Sequence, residues 1–128
     1  MNRNDNLLNL RPPIPILIED KAISEAERFQ NRTLRPILKF QNELLRSVFQ
    51  SYLKLRKGQF FKLTKEKKII YIENSIRKDL KFKHLLMGII VGQFTVEEWT
   101  TYKFHERELR KRLTGLLVQR IQDQINTL

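Results

Sequence analysis

The chain has no cysteine, only four glycines and four prolines, and a single tryptophan. Without cysteine there is no disulfide framework, no thiol nucleophile, and no thiolate-held zinc site or iron–sulfur cluster. The glycines form no phosphate-cradling loop and no flexible linker. Long apolar runs are also missing. The most apolar stretch, Leu85 to Gly92, is eight residues, against the roughly 20 needed to span a bilayer. The opening Met1-Asn2-Arg3-Asn4-Asp5 leads into no apolar core of signal-peptide length, so the chain reads as cytoplasmic. Acidic residues are scarce: 14 against 25 lysines and arginines, a net charge of +11. A surface of that sign attracts phosphates, anionic lipid or acidic proteins.

What is present is enough for a core. At 128 residues this is one domain's worth of chain, and Leu, Ile, Val and Phe make up about a third of it, well above the floor of roughly 20% below which disorder is expected. Three of the four prolines fall in Leu10-Arg11-Pro12-Pro13-Ile14-Pro15. Proline fixes φ and removes backbone donors, which predicts an extended, non-helical arm over residues 1–21 and a single helical domain over 22–128. The arm's Leu7, Leu8, Leu10, Ile14, Ile16, Leu17 and Ile18 are too apolar for a free tail, so it is expected to lie along a groove of the body.

Helix starts are well marked. Ser24 with Glu27, and Thr95 with Glu98, have capping-box spacing. Pro36 implies a kink or restart, with Thr33 as the new cap. Leu34, Ile37, Leu38, Leu45, Val48, Phe49, Tyr52 and Leu55 then follow at helical spacing, opposite a mostly basic stripe of Arg35, Lys39, Asn42, Arg46, Gln50 and Lys57, and Gly58 terminates the run. Residues 59–73 admit a hairpin or a helix. The helix is preferred, capped by Thr64, with Ile69, Ile72, Ile76 and Leu80 on one face. The segment Leu85 to Val91 is apolar all round and predicts burial on all sides, ending at Gly92. From Thr95 one helix of about 30 residues is expected, with Val96, Trp99, Tyr102, Leu109, Leu113, Leu116, Leu117, Ile121 and Ile125 on its apolar face and Gly115 as its weak point. The fold class expected is all-α: a compact antiparallel bundle of four or five helices, two of them long, with the N-terminal arm.

The charge is concentrated. Lys54, Arg56, Lys57, Lys62, Lys65, Lys67, Lys68, Arg77, Lys78, Lys81 and Lys83 lie within 30 residues that hold only Glu66, Glu73 and Asp79 as acids. Phe60, Phe61 and Tyr71 are interleaved with them, the combination that tracks a phosphate backbone and stacks on bases. A solvated lysine face over an aromatic core has the same composition. A second cluster, Lys103, Arg107, Arg110, Lys111 and Arg112, alternates with Glu106 and Glu108 at pairing distance on a helix. Gly88, Gly92 and the helix after Thr95 loosely match a helix-turn-helix, but Glu97 and Glu98 would open the recognition helix and repel phosphate.

Catalytic material is thin. There are two histidines, His84 and His105. His84, next to the apolar segment, reads as partly buried or capping. His105 and Glu108, one turn apart, are half a metal site at most, and neither the His-Glu-x-x-His pattern nor the di-iron bundle motif is present. No motif calls for a cofactor.

The segments Phe29-Gln30-Asn31, Thr33-Leu34-Arg35-Pro36-Ile37, Gln41-Asn42, Lys78-Asp79 and Gly88-Ile89-Ile90-Val91-Gly92-Gln93-Phe94-Thr95-Val96-Glu97-Glu98 resemble a family of short bacterial proteins of about this length, over nearly the whole chain. Some relatives are labelled glyoxalase. That label implies a metal-dependent lyase acting on a glutathione–methylglyoxal adduct, in a paired βαβββ fold with histidine and glutamate ligands. The helical periodicity here carries no clear set of alternating strands, and no catalytic residue transfers from the resemblance. The residues themselves predict a non-enzymatic basic interaction module with an acidic partner, nucleic acid first; the alternatives are the metal-dependent lyase and a structural homo-oligomer.

Overall fold

The computed structural model describes residues 2–13 and 23–128, and among them there is no strand. The helices are α1 (Arg3–Leu10), α2 (Glu25–Phe29), α3 (Arg35–Phe40), α4 (Asn42–Leu55), α5 (Lys65–Lys78), α6 (Leu80–Val91), α7 (Val96–Phe104) and α8 (Glu106–Gln122). A π turn, Gln30–Leu34, joins α2 to α3, and short 3-10 turns cover Gln59–Lys62 and Ile125–Thr127. The expected count of four or five helices is exceeded because capped breaks divide what periodicity alone reads as continuous.

The N-terminal segment departs from the expected extended arm. Residues 3–10 are helical, not extended. The Asn2 side chain caps the helix by accepting from Asp5 N at 2.9 Å, Asp5 places a carboxylate in the first turn, and the helix stops at Arg11, ahead of Pro12. The prolines exert their effect only after the helix has ended. Arg3 Nη2 donates to Gly92 O at 3.0 Å, and Val96 N donates to Asn4 Oδ1 at 3.2 Å, so this segment rests on the turn between α6 and α7. The expectations placed on Ile14, Ile16, Leu17 and Ile18 lie outside the described residues.

Pro36 is accommodated differently from the expected restart. Phe29 through Arg35 keep right-handed helical dihedrals, and the chain widens into the π turn just before Pro36, which then sits in the first turn of α3. Thr33 caps nothing. Its buried hydroxyl donates to Glu98 Oε2 at 3.1 Å. Of the Ser24–Glu27 box, the half in which Ser24 Oγ accepts from Glu27 N is formed, at 3.1 Å.

Residues 65–78 are a helix, capped by Thr64 as expected, but it ends at Asp79 instead of running on to Leu80. Asp79 takes extended dihedrals and caps α6 through Phe82 N at 3.2 Å, while its other oxygen accepts from Tyr52 Oη and Arg56 Nη2, each at 3.1 Å. Leu80 is consequently 60% exposed. The long C-terminal helix is likewise two. His105, at φ −112° and ψ 30°, separates α7 from α8, whereas Gly115 lies inside α8 without interrupting it. The break resets the helical phase, so Val96 (63% exposed) and Trp99 face outward and Tyr102 alone of α7 is buried. In α6, Leu85 and Gly88 are exposed, so that helix is amphipathic instead of buried all round. The Thr95 capping box forms in full.

The core runs along α8, which packs on α5, α6 and the π turn. Leu109, Leu113, Leu117 and Ile121, four residues apart, are fully buried, and meet Ile72, Ile76, Leu86 and Ile90 together with Leu34, Leu38, Leu45, Phe49 and Leu53 in one cluster. Each such side chain contributes about 1.5–3 kcal/mol of burial. Phe29, Phe94 and Tyr102 close one end, with ring centroids 5.5–6.4 Å apart. Tyr52 stacks on Phe82 at 3.9 Å. No helix among the described residues is long and apolar enough to cross a membrane.

Candidate functional site

Helix geometry divides the basic residues. At 1.5 Å per residue, the 14 residues of α5 separate its ends by about 20 Å. Lys62 of the 3-10 turn and Lys65, Lys67 and Lys68 of the first turn of α5 occupy one end. Arg77 and Lys78 of its last turn occupy the other, next to Lys81 and Lys83 at the start of α6. Lys54 lies in the last turn of α4, and Arg56 and Lys57 in the bend after it. The structure therefore makes two basic regions of what the sequence presents as one.

Their chemistry differs. At the Asp79 end, Arg56 is committed to the fold: it pairs with Asp79, donates to Tyr52 O at 3.2 Å and lies 3.4 Å from the Tyr52 ring centroid. The Phe82 amide, with Tyr52 and Arg56, holds the Asp79 carboxyl below the ordinary carboxylate range. Arg77 approaches Glu73 at 3.7 Å.

At the other end the lysines are uncommitted. Lys62, Lys65 and Lys67 are exposed and have no carboxylate within 4.0 Å among the described residues. Lys68 Nζ sits 5.3 Å from the Phe60 ring centroid. Placing Lys65, Lys67 and Lys68 in a first turn opposes the helix macrodipole, which favours anions there. Local helix stability gains nothing from that arrangement.

Beside these lysines lies a cleft of about 220 Å³ lined by Phe60, Phe61, Lys65, Lys68, Ile125, Asn126 and Leu128. Phe60 is buried and Phe61 is 50% exposed, its ring 5.5 Å from that of Phe60 and nearly perpendicular to it. The buried ring fixes the exposed one, leaving a hydrocarbon face flanked by ammonium groups. The contribution of residues 125–128 was missed from sequence, because Ile125 reads there as one more position on a continuing helical face. Instead Gln124 adopts φ −108°, and the chain turns so that Thr127 meets Arg46 and Gln50 of α4, at 3.5 and 3.4 Å.

The other predicted groups go elsewhere. Glu106 pairs with Arg110 at 3.5 Å and Glu108 with Arg112 at 3.1 Å, the intrahelical pairs expected from the spacing, and Glu106 also meets Lys103 at 2.5 Å across the break between α7 and α8. His84 is exposed, contrary to the partly buried or capping role expected of it. His105 Nε2 meets Glu25 Oε2 at 3.0 Å and Glu108 is engaged by Arg112, so the histidine and the carboxylate one turn away have different partners. No cluster of three or more His, Asp or Glu side chains suited to a metal ion occurs among the described residues.

Comparison of the chain with protein-family models, with curated proteins and with solved structures finds no match.

Proposed function

We propose that the protein is a non-enzymatic basic interaction module whose acidic partner is nucleic acid, bound in single-stranded form at the Phe61–Lys65–Lys68 cleft. The observation that carries this reading is the crowding of Lys65, Lys67 and Lys68 into the first turn of α5, unpaired with carboxylates among the described residues and beside the half-exposed Phe61 ring. Lysines there neutralise phosphates, and an exposed aromatic face accepts a base of any identity, worth about 1–3 kcal/mol per stacked base. Lys54, Lys57, Lys62, Lys78, Lys81 and Lys83 extend the positive field on either side, while the charges of Arg56 and Arg77 are met by Asp79 and Glu73. In this reading the longer helices pack antiparallel, and Arg46 and Gln50 of α4 reach Thr127 beside the cleft.

The test is fluorescence anisotropy with a labelled single-stranded oligonucleotide across a salt series. Each neutralised phosphate contributes a slope of about −0.7 in log affinity against log salt. Joint reversal of Lys65, Lys67 and Lys68 to Glu is expected to flatten that slope by about two. Affinity indifferent to salt, or unchanged by the reversal, defeats the reading.

A homo-oligomer is the second reading, favoured by Phe104 (83% exposed) with Val96 and Trp99 on the outer surface of α7. It predicts a sedimentation mass twice the monomer's at low concentration, returning to the monomer's in Phe104→Ser.

A further inference from the structure

A separate hollow of about 340 Å³ opens between α3, the start of α4 and the last turns of α8. Arg35 and Arg120 line it from opposite sides of the sequence, with Asn42, Gln119, Asp123 and Gln124. Two guanidinium groups facing one small cavity repel each other, and the ordinary remedy is a carboxylate between them. Neither arginine has one within 4.0 Å among the described residues. Arg35 Nε donates to Asn31 Oδ1 at 3.0 Å, and Arg120 Nη1 donates to Asn42 Oδ1 at 3.3 Å. The one carboxylate in the lining, Asp123, has Oδ1 taken by Gln119 Nε2 at 2.7 Å.

The surroundings hold this arrangement still. Asn42 Nδ2 donates to Gln124 Oε1 at 2.9 Å, and Gln124 Nε2 donates back to Asn42 Oδ1 at 2.8 Å and to Arg120 O at 2.9 Å. The two amides thus lock each other and orient Arg120. Burial lowers the pKa of Arg120, Asp123 raises it, and the charge of Arg35 lowers it further, so a second cation is felt across the hollow. Arg120 keeps its Nη2 and Nε donors, and Arg35 both Nη groups, with no hydrogen bond to a described residue.

We propose that this hollow binds a small phosphate-type oxyanion, held between Arg35 and Arg120. The planar guanidinium fork matches two oxygens of a phosphate, and two forks on one cavity satisfy most of its acceptors. An anion there replaces the repulsion of the two arginines with attraction to both. The volume admits a phosphate with a small attached group. The site shares no residue with the Phe61 cleft, so it stands whether or not that cleft binds nucleic acid. The oxyanion has two sources, a free or terminal phosphate and the backbone of a nucleic acid strand.

The test titrates inorganic phosphate into isotopically labelled protein at constant ionic strength, following backbone amides and arginine Nε–H signals by NMR. Saturable shifts at Arg35, Asn42 and Arg120 are expected. Arg120→Gln and Arg35→Gln should each weaken binding about tenfold, as loss of a charge-assisted hydrogen-bonding partner does. Asp123→Asn should tighten it by removing the competing carboxylate, a gain that mere misfolding does not give. A parallel titration with an oligonucleotide lacking a terminal phosphate assigns the source: the same shifts with it point to backbone phosphate, and shifts with inorganic phosphate alone point to a small ligand. Absence of saturation with both probes, or binding retained in both arginine variants, overturns the proposal.

Discussion

Arg11 and Glu98, 87 residues apart in sequence, form a two-pronged ion pair in which Nη1 and Nη2 each lie 2.5 Å from a different carboxylate oxygen. The same carboxylate accepts from Thr95 N at 2.8 Å, closing the capping box of α7, and from Thr33 Oγ1 of the π turn. Arg11 Nη2 also donates to Gln93 O at 2.8 Å. One acidic side chain therefore joins the N-terminal segment, the π turn and the start of α7.

Removing the guanidinium should cost more than an ordinary surface pair, because both partners are largely buried. Arg11→Ala is expected to lower the unfolding free energy by about 2 kcal/mol, the usual range for a hydrogen-bonded charged group. Arg11→Lys should recover little of that, since one ammonium does not span both carboxylate oxygens and Gln93 O. Urea denaturation of the two variants checks both statements.

The acid limb of stability follows from the same residue. Burial alone raises the Glu98 pKa, but Arg11, the Thr95 amide and Thr33 outweigh it and hold the carboxyl below its ordinary value. Asp79 is depressed as well, chiefly by the Phe82 amide. A carboxyl that ionises more readily in the folded than in the unfolded chain stabilises the fold fully above its unfolded pKa, and that contribution is lost as pH falls through the folded pKa. The urea midpoint should therefore stay level from neutrality down to about pH 4 and decline below it. Glu98→Gln should be less stable at neutral pH and show a shallower acid decline. An unchanged acid limb would remove Glu98 as its source.

The lysines of the first turn of α5 should oppose stability while serving binding. Lys65→Glu with Lys67→Glu places anions where the macrodipole favours them, and is expected to stabilise the fold by a few tenths of a kcal/mol per position, up to about 1. Oligonucleotide affinity should fall in the same protein. Thermal melts and anisotropy on one preparation read the two effects with opposite signs. A variant that loses both stability and binding would mean that these lysines support the fold instead.

At the bend after α4, Lys57 (φ 58°) and Gly58 (φ 70°) both adopt left-handed dihedrals. Gly58→Ala should destabilise by about 1 kcal/mol, the penalty of a Cβ in that region. Lys57→Gly relieves the same strain and should leave stability level or slightly higher, and denaturant midpoints decide both.

Helix beginnings were legible at Ser24, Thr64 and Thr95, which all accept from the amide three residues on, whereas Asn2 and Asp79, which cap α1 and α6 in the same way, were not read as caps. For residues 59–73, where a hairpin stayed open beside the preferred helix, the helix forms from Lys65 behind the Thr64 cap, and Gln59–Lys62 make a 3-10 turn. Helix ends inside apolar periodicity were not legible. Asp79 interrupts a pattern that continues through Leu80 because Tyr52 and Arg56 bind its carboxylate from another helix, a contact invisible to local spacing. His105 does the same between α7 and α8. The helix at residues 3–10 was hidden by the prolines that follow it. For the candidate site, the composition of the basic stretch was plain, but its division into a committed end at Asp79 and an uncommitted end at Lys65 is set by tertiary partners. Arg120 gave no signal at all, since its neighbour Arg35 is 85 positions away.

The contacts of residues 3–11 also set an order of events during synthesis. Their partners, Gly92, Gln93, Val96 and Glu98, follow them by 82 to 92 residues. An eight-residue helix has little persistence alone in water. While the chain is still being made, Arg3, Asn4 and Arg11 therefore wait without partners until the turn after α6 has left the ribosome. The part of the described chain translated earliest is among the last to be secured, and a bulky fusion placed before it acts on that final docking step and not on the assembly of the core.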